Sequence, residues 1–170
     1  MKVVYLSTLT VGVLALSSCF KRSEAVRIPK IQDAPQFVSV KHLAFQGTVH
    51  SSFSGSYSWK GATTGPGKTT ASQPKKWRFV VPVTGADWDQ SQPVPLWVTF
   101  SSVKKNQQPE IAAFRQAIAR GEVAGVNVDF PERTTGLMRG KSAWQQAVAD
   151  AVQRHGLVTD PRAPIVSWRP

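Results

Sequence analysis

Cysteine is almost missing from this chain: Cys19 is the only one in 170 residues. No internal disulfide can form, so bridges say nothing about an oxidising or reducing compartment. Acidic residues are scarce as well, ten Asp and Glu against 21 Lys and Arg, giving a net charge of +11 and a pI near 10.3. Such a balance bears on solubility and on anionic partners rather than on fold. No Gly-x-Ser-x-Gly elbow occurs, and three histidines leave little material for a metal centre. No apolar run reaches the roughly 20 residues that a spanning helix needs. What is present is ordinary globular composition, 41% hydrophobic and 18% charged, which suits one domain with a real core and needs no cofactor to fold.

The longest charge-free opening is Val3 to Ser18, 16 residues behind Met1-Lys2. Small residues, Ser17 and Ser18, then precede Cys19, as at a signal-peptide cleavage site. Leu16-Ser17-Ser18-Cys19 resembles the lipobox of bacterial lipoproteins. That resemblance implies a signal peptide over residues 1–18 and a diacylglyceryl group on the Cys19 sulfur. It also implies that Cys19 becomes the acylated first residue of the mature protein. Multiple acyl chains hold firmly where a single chain binds only marginally. Lys21 and Arg22 would then lie at the headgroups, worth about 1 kcal/mol each on an anionic leaflet. Phe20 stands where an aspartate favours inner-membrane retention in enterobacterial lipoproteins. The resemblance thus implies a lipid anchor in the cell membrane or, in a Gram-negative source, toward the outer membrane, with the domain in the periplasm or exterior. Residues 19–36, with Pro29 and Pro35 and no sustained periodicity, are expected to be a semi-extended tether. Residues 37–170 are expected to form a single domain.

Period-two alternation marks the strands. Leu43, Phe45 and Val49 form one series, and Phe53, Gly55, Tyr57 and Trp59 interleave with serines in a second. Trp77, Phe79, Val81 and Val83 make a third, in which Pro82 argues for an edge position or a bulge. Val94, Leu96, Val98 and Phe100 make a fourth, joined to the third through the turn-rich TGADWDQSQP. The spacing then changes. Ile111, Phe114, Ala117 and Ile118 predict a helix from Pro109 to Arg120, stopped by Gly121. Val126, Val128 and Phe130 predict a strand. Trp144, Val148, Ala151, Val152 and His155 predict a helix capped by Ser142 and ended at Gly156, with Leu157 folding back on Val152. Ile165 to Trp168 are a short last strand. The class expected is α+β: antiparallel strands in the N-terminal half, then strand-helix-strand-helix-strand.

Several motifs carry chemistry on paper. GATTGPGKTT, Gly61 to Thr70, has five residues between Gly61 and Gly67 where a phosphate-binding loop needs four. Pro74 and strand alternation follow where a helix should, so a plain connecting loop is expected. Asp87, Asp89 and Ser91 begin like a calcium loop, but Gln92 and Val98 stand where glycine and glutamate are needed, so a hairpin turn is expected. His42 and His50, about 26 Å apart on a straight strand, are not expected to share a metal, and His155 suits a helix C-terminus. Asp129 and Glu132 in NVDFPERTTG are the candidate catalytic carboxylate pair, the grouping glycoside hydrolysis uses. Lys75, Lys76 and Arg78 around Trp77, with Lys104 and Lys105, are the candidate anion-binding cluster, if the two strands involved form a hairpin. Trp59, Trp97 and Trp168 are candidates for a sugar-stacking platform, with a core role the commoner use.

The reading that these features support is a membrane-anchored cell-envelope lipoprotein with a non-enzymatic binding or assembly role, no cofactor and no metal. Its expected partners are the membrane, through the lipid on Cys19, and an envelope protein complex, an anionic polymer or anionic lipid. The alternatives are an envelope hydrolase acting on polysaccharide or peptidoglycan, and a basic module whose activity is binding an anionic polymer.

Overall fold

Two residues, Gln46 and Gly47, hold the key to how this chain closes on itself. The computed structural model describes residues 24–60, 75–100, 102–129 and 142–170. In chain order they form β1 (Val26–Arg27), β2 (His42–Phe45), β3 (Thr48–Val49), β4 (Gly55–Lys60), β5 (Lys75–Thr84), β6 (Leu96–Phe100), α1 (Gln108–Ala119), β7 (Val123–Asn127), α2 (Ala143–His155) and β8 (Ile165–Trp168). Short 3-10 turns occupy Ile31–Phe37 and Ser51–Phe53. Helices and strands mix in an α+β body, as expected.

All eight strands join one sheet in the order β1-β2-β7-β8-β6-β5, with β3 and β4 sharing the far edge of β5. Two pairs, β1–β2 and β6–β8, are parallel and the rest antiparallel. In a flat sheet β2 and β3 would lie five strand spacings apart, about 24 Å. Yet from Phe45 to Thr48 the chain can reach only about 11 Å. The two edges must therefore approach each other, and the sheet curls into a partly closed barrel. Gly47 sits at the junction, where a Cβ would stand 2.7 Å from the Val83 side chain and 2.9 Å from the Thr84 carbonyl oxygen. The series expected over Leu43 to Val49 is thus one bent run, half paired to β7 and half to β5.

Inside the curl lie Leu43, Phe45, Val81, Val83, Leu96, Val98 and Val166, every one buried. Ile111, Phe114 and Ile118 of α1 join them, with Phe114 edge-on to Phe100 and Trp168. Outside, α2 packs on Val80, Trp97 and Ile165 through Ala147 and Ala151. Close approach there requires glycine on β4. A Cβ at Gly55 would overlap the Ala147 carbonyl oxygen and lie 2.6 Å from the Ala151 nitrogen.

Three sequence expectations change. The tether predicted through Gln36 is shorter, because β1 pairs with β2 and Ile28, Ile31 and Ala34 are buried in the core. Isolated apolar residues without a period still seek burial once a groove is available. Pro82 lies on no free edge but faces an interruption of the ladder, since residues 50–54 stand opposite Val81 and Pro82. Trp97, its cross-strand neighbour, donates to Pro164 on the opposite side, and the Pro82 carbonyl accepts from the His50 nitrogen. Its missing donor therefore points at the gap between β3 and β4, where no ladder partner waits. The strand expected over Val126, Val128 and Phe130 instead runs Val123–Asn127, and Asn127 is 1% exposed, its amide donating to the Val38 and Val40 carbonyls.

Candidate functional site

Beyond the barrel, β4 and the first half of β5 run on as a two-stranded arm. Register pairs Ser56 with Phe79, Ser58 with Trp77 and Lys60 with Lys75 on one face, and Tyr57 with Arg78 and Trp59 with Lys76 on the other. The chain after β6 reaches the same place, since the Trp77 nitrogen donates to the Val103 carbonyl at 3.0 Å. Lys104 and Lys105 are thereby brought beside the start of β5. All five lysines, at 60, 75, 76, 104 and 105, are exposed. None has a carboxylate within 4.0 Å among the described residues, where each of the three ion pairs uses an arginine. Lys60 and Lys75 stand directly opposite each other, a like-charge pair that weakens a sheet.

The two faces of the arm differ in kind. On the outer one Arg78 is taken into the packing. Its guanidinium lies 5.9 Å from the Trp59 ring and 5.5 Å from the Trp144 ring of α2, and donates to the carbonyls of Phe100 and Ser102. Burial lowers its pKa from the ordinary value, though an arginine stays charged throughout. Trp59 stacks on Tyr57. On the inner face Trp77 and Phe79 stack at 6.3 Å and 20°. Both are half-buried, and neither belongs to a core cluster. Ser56 and Ser58 are their cross-strand neighbours on β4.

Gln107 supports this arrangement from the start of α1. It is 1% exposed, and its amide donates to the Ser102 carbonyl at 2.6 Å. Sequence reasoning placed Lys75, Lys76, Arg78, Lys104 and Lys105 together, and they do gather at one end of the sheet. It could not separate Arg78 from the exposed set, nor add Lys60, Phe79 and the serines. The available signal was the register of SGSYSWK against KKWRFV, which alternation alone leaves open.

The second candidate lies under α2, in a cavity of about 520 Å³ that Trp97, Asp129, Gln145, Val152, Asp160 and Ile165 help to line. The Gln145 amide nitrogen reaches both Asp129 oxygens at 3.0 Å, while its carbonyl oxygen accepts from the Ser142 nitrogen. Asp129 is thus tied to the start of α2. Asp160 turns back on its own loop, accepting from the Arg162 nitrogen. Trp97 donates to the Thr159 hydroxyl. Glu132, Cys19 and the Gly61 to Thr70 stretch lie outside the described residues.

His50, Phe53, Trp88 and His155 form an aromatic cluster, with His50 and Trp88 rings 4.8 Å apart. The Thr84 hydroxyl lies 2.8 Å from His50 Nε2 and 3.0 Å from the Gly85 carbonyl oxygen, within hydrogen-bond distance of both. Burial lowers the His50 pKa. The Asp87 to Gln92 segment is a turn, in which Asp89 accepts from the Ser91 hydroxyl and nitrogen. Those bonds, the hydroxyl's first, lower the Asp89 pKa. His42 lies across the sheet, in the β2–β7 register, and no group of three metal-capable side chains occurs among the described residues. Trp97 and Trp168 are buried on opposite faces of the sheet, so with Trp59 they make no common platform. No helix among the described residues is long and apolar enough to cross a membrane.

No protein-family model, curated protein or solved structure matches the chain.

Proposed function

We propose that this chain is a lipid-anchored protein of the cell envelope, held in the cell membrane or the outer membrane, which acts by binding or assembly rather than by catalysis. Its antiparallel N-terminal strands and strand-helix-strand-helix-strand half form the body that Cys19 fastens to the bilayer. The observation that carries the binding role is the set of five exposed lysines with no carboxylate partner among the described residues. A sheet that sets Lys60 against Lys75 gives up stability unless an anion compensates. The anchor is carried by Leu16-Ser17-Ser18-Cys19.

Mass spectrometry of the native N-terminus is the test. The expected species begins at Cys19 and carries a diacylglyceryl group and an amide-linked acyl chain, while Cys19→Ala remains uncleaved and unacylated. A chain that keeps Met1 and a bare thiol removes the reading. The hydrolase alternative is separated by Asp129→Ala and Glu132→Ala in a glycan-cleavage assay. Cleavage that disappears while the fold persists would put catalysis in place of binding.

A further inference from the structure

We infer that the inner face of the β4–β5 arm binds an acidic polysaccharide, its sugar rings lying on Trp77 and Phe79 and its anionic groups meeting Lys60, Lys75, Lys104 and Lys105. This names the ligand class for the binding role proposed above and rests on that role. The two rings lie 6.3 Å apart and within 20° of parallel at alternate positions of one strand, half-buried and outside the core clusters, so they form one aromatic patch. A ring face is the negative part of its quadrupole, which suits the weakly positive C–H groups on a sugar's flat side. Ser56 and Ser58 run alongside on β4 and offer hydroxyls to hydroxyls. An acyl chain has no use for that polar border. The surrounding cations are all lysines, compact and strongly hydrated charges that meet an anionic group as point charges. Arg78 is committed to the other face. Lys60 and Lys75 gain most, because an anion between them turns a repulsive cross-strand pair into an attractive triplet.

The probe is polygalacturonate, titrated against the full acylated chain in a nonionic detergent, with tryptophan fluorescence as the readout. Binding is expected to fall steeply with salt. Changing Lys60, Lys75, Lys104 and Lys105 to Gln should reduce the slope of log K against log salt by about 2 to 3, at roughly 0.7 per contact. Removing the same number of charges elsewhere (Lys30, Lys41, Arg115 and Arg120 to Gln) should leave most of that slope. Trp77→Ala should weaken binding about tenfold with the salt slope intact. Dextran, uncharged, should not bind. Circular dichroism melting confirms that each variant is folded, and the lysine variants, all at exposed positions, carry the test if Trp77→Ala does not fold. Absence of polygalacturonate binding overturns the inference, as does binding that ignores both the lysine and the tryptophan changes. Equal or tighter binding of poly(dT), or of anionic vesicles, overturns it in favour of nucleic acid or membrane. Failure with an acylated Cys19 removes the ligand class alone, whereas binding by a chain with an unmodified N-terminus removes the envelope reading alone.

Discussion

At the scale of single residues, several side chains carry more structure than their type suggests. Arg78 ties four elements together by lying between two indoles and donating to carbonyls at the end of β6. Lysine cannot reproduce a planar group that stacks and donates at once. Arg78→Lys should therefore cost about 2 kcal/mol in a urea titration, from lost stacking and unsatisfied carbonyls. A value near zero would show that the sandwich is incidental. Gly55 is a harder constraint, because an added methyl group meets α2 backbone rather than a flexible tip. Gly55→Ala should lower stability by about 3 kcal/mol, the upper range for overpacking. His50 makes stability depend on pH. Its folded pKa lies below the ordinary 6.5 because burial penalises the cation. Its contribution is complete above 6.5 and is lost as pH falls through the lowered folded value. The melting temperature should drop between pH 7 and pH 5, and His50→Gln should flatten that drop. A variant with the wild-type pH profile would exclude His50 as the source.

At the scale of elements, local chemistry explains what was legible. Alternation in TVHSSFSGSYSWKG and WRFVVPVT, and three- and four-residue spacing in the helices, are properties of neighbouring residues, so β4, β5, β6, α1, α2 and β8 could be read directly. The end of α2 is a good case. Ser142 and Gln145 form a reciprocal capping box, and Gly156 takes φ 65° while Leu157 donates back to Val152. Ser142→Ala should cost about 1 kcal/mol in thermal or chemical unfolding. Its effect should extend to Asp129, whose carboxylate Gln145 holds. What could not be read depends on distant partners. Asn127 looks like the polar half of a strand until Val38 and Val40 supply carbonyls from 89 and 87 residues away. Splitting of the basic cluster into an exposed set and a packed Arg78 follows from the β4–β5 register, which no single strand encodes.

At the scale of the whole molecule, closure decides where the body begins. A curled sheet has an interior that must be filled at both ends, and residues N-terminal to β2 take part in filling it. Ile28 and Ile31 are 4% and 6% exposed and Ala34 is fully buried, while β1 extends the sheet beside β2. Deleting this segment removes two isoleucines, each worth about 2 to 5 kcal/mol when truncated within a core. Those losses together are comparable with the 5 to 15 kcal/mol that holds a typical domain folded. A chain starting at Glu24 should therefore melt as the longer chain does, whereas one starting at Val38 should lose its cooperative transition and its near-ultraviolet dichroism. The consequence reaches the proposed anchor. From Cys19 to Val26 the chain spans at most about 25 Å when fully extended, much less than a free tether to Gln36 would allow. With that anchor, a body on such a short lead would stay near the bilayer rather than stand off on a long linker. Lengthening the lead by about 20 Gly and Ser residues after Arg22 should leave thermal stability unchanged. The same insertion should raise access of a soluble protease to the membrane-bound chain, and equal cleavage with and without it would show that the body already stands free.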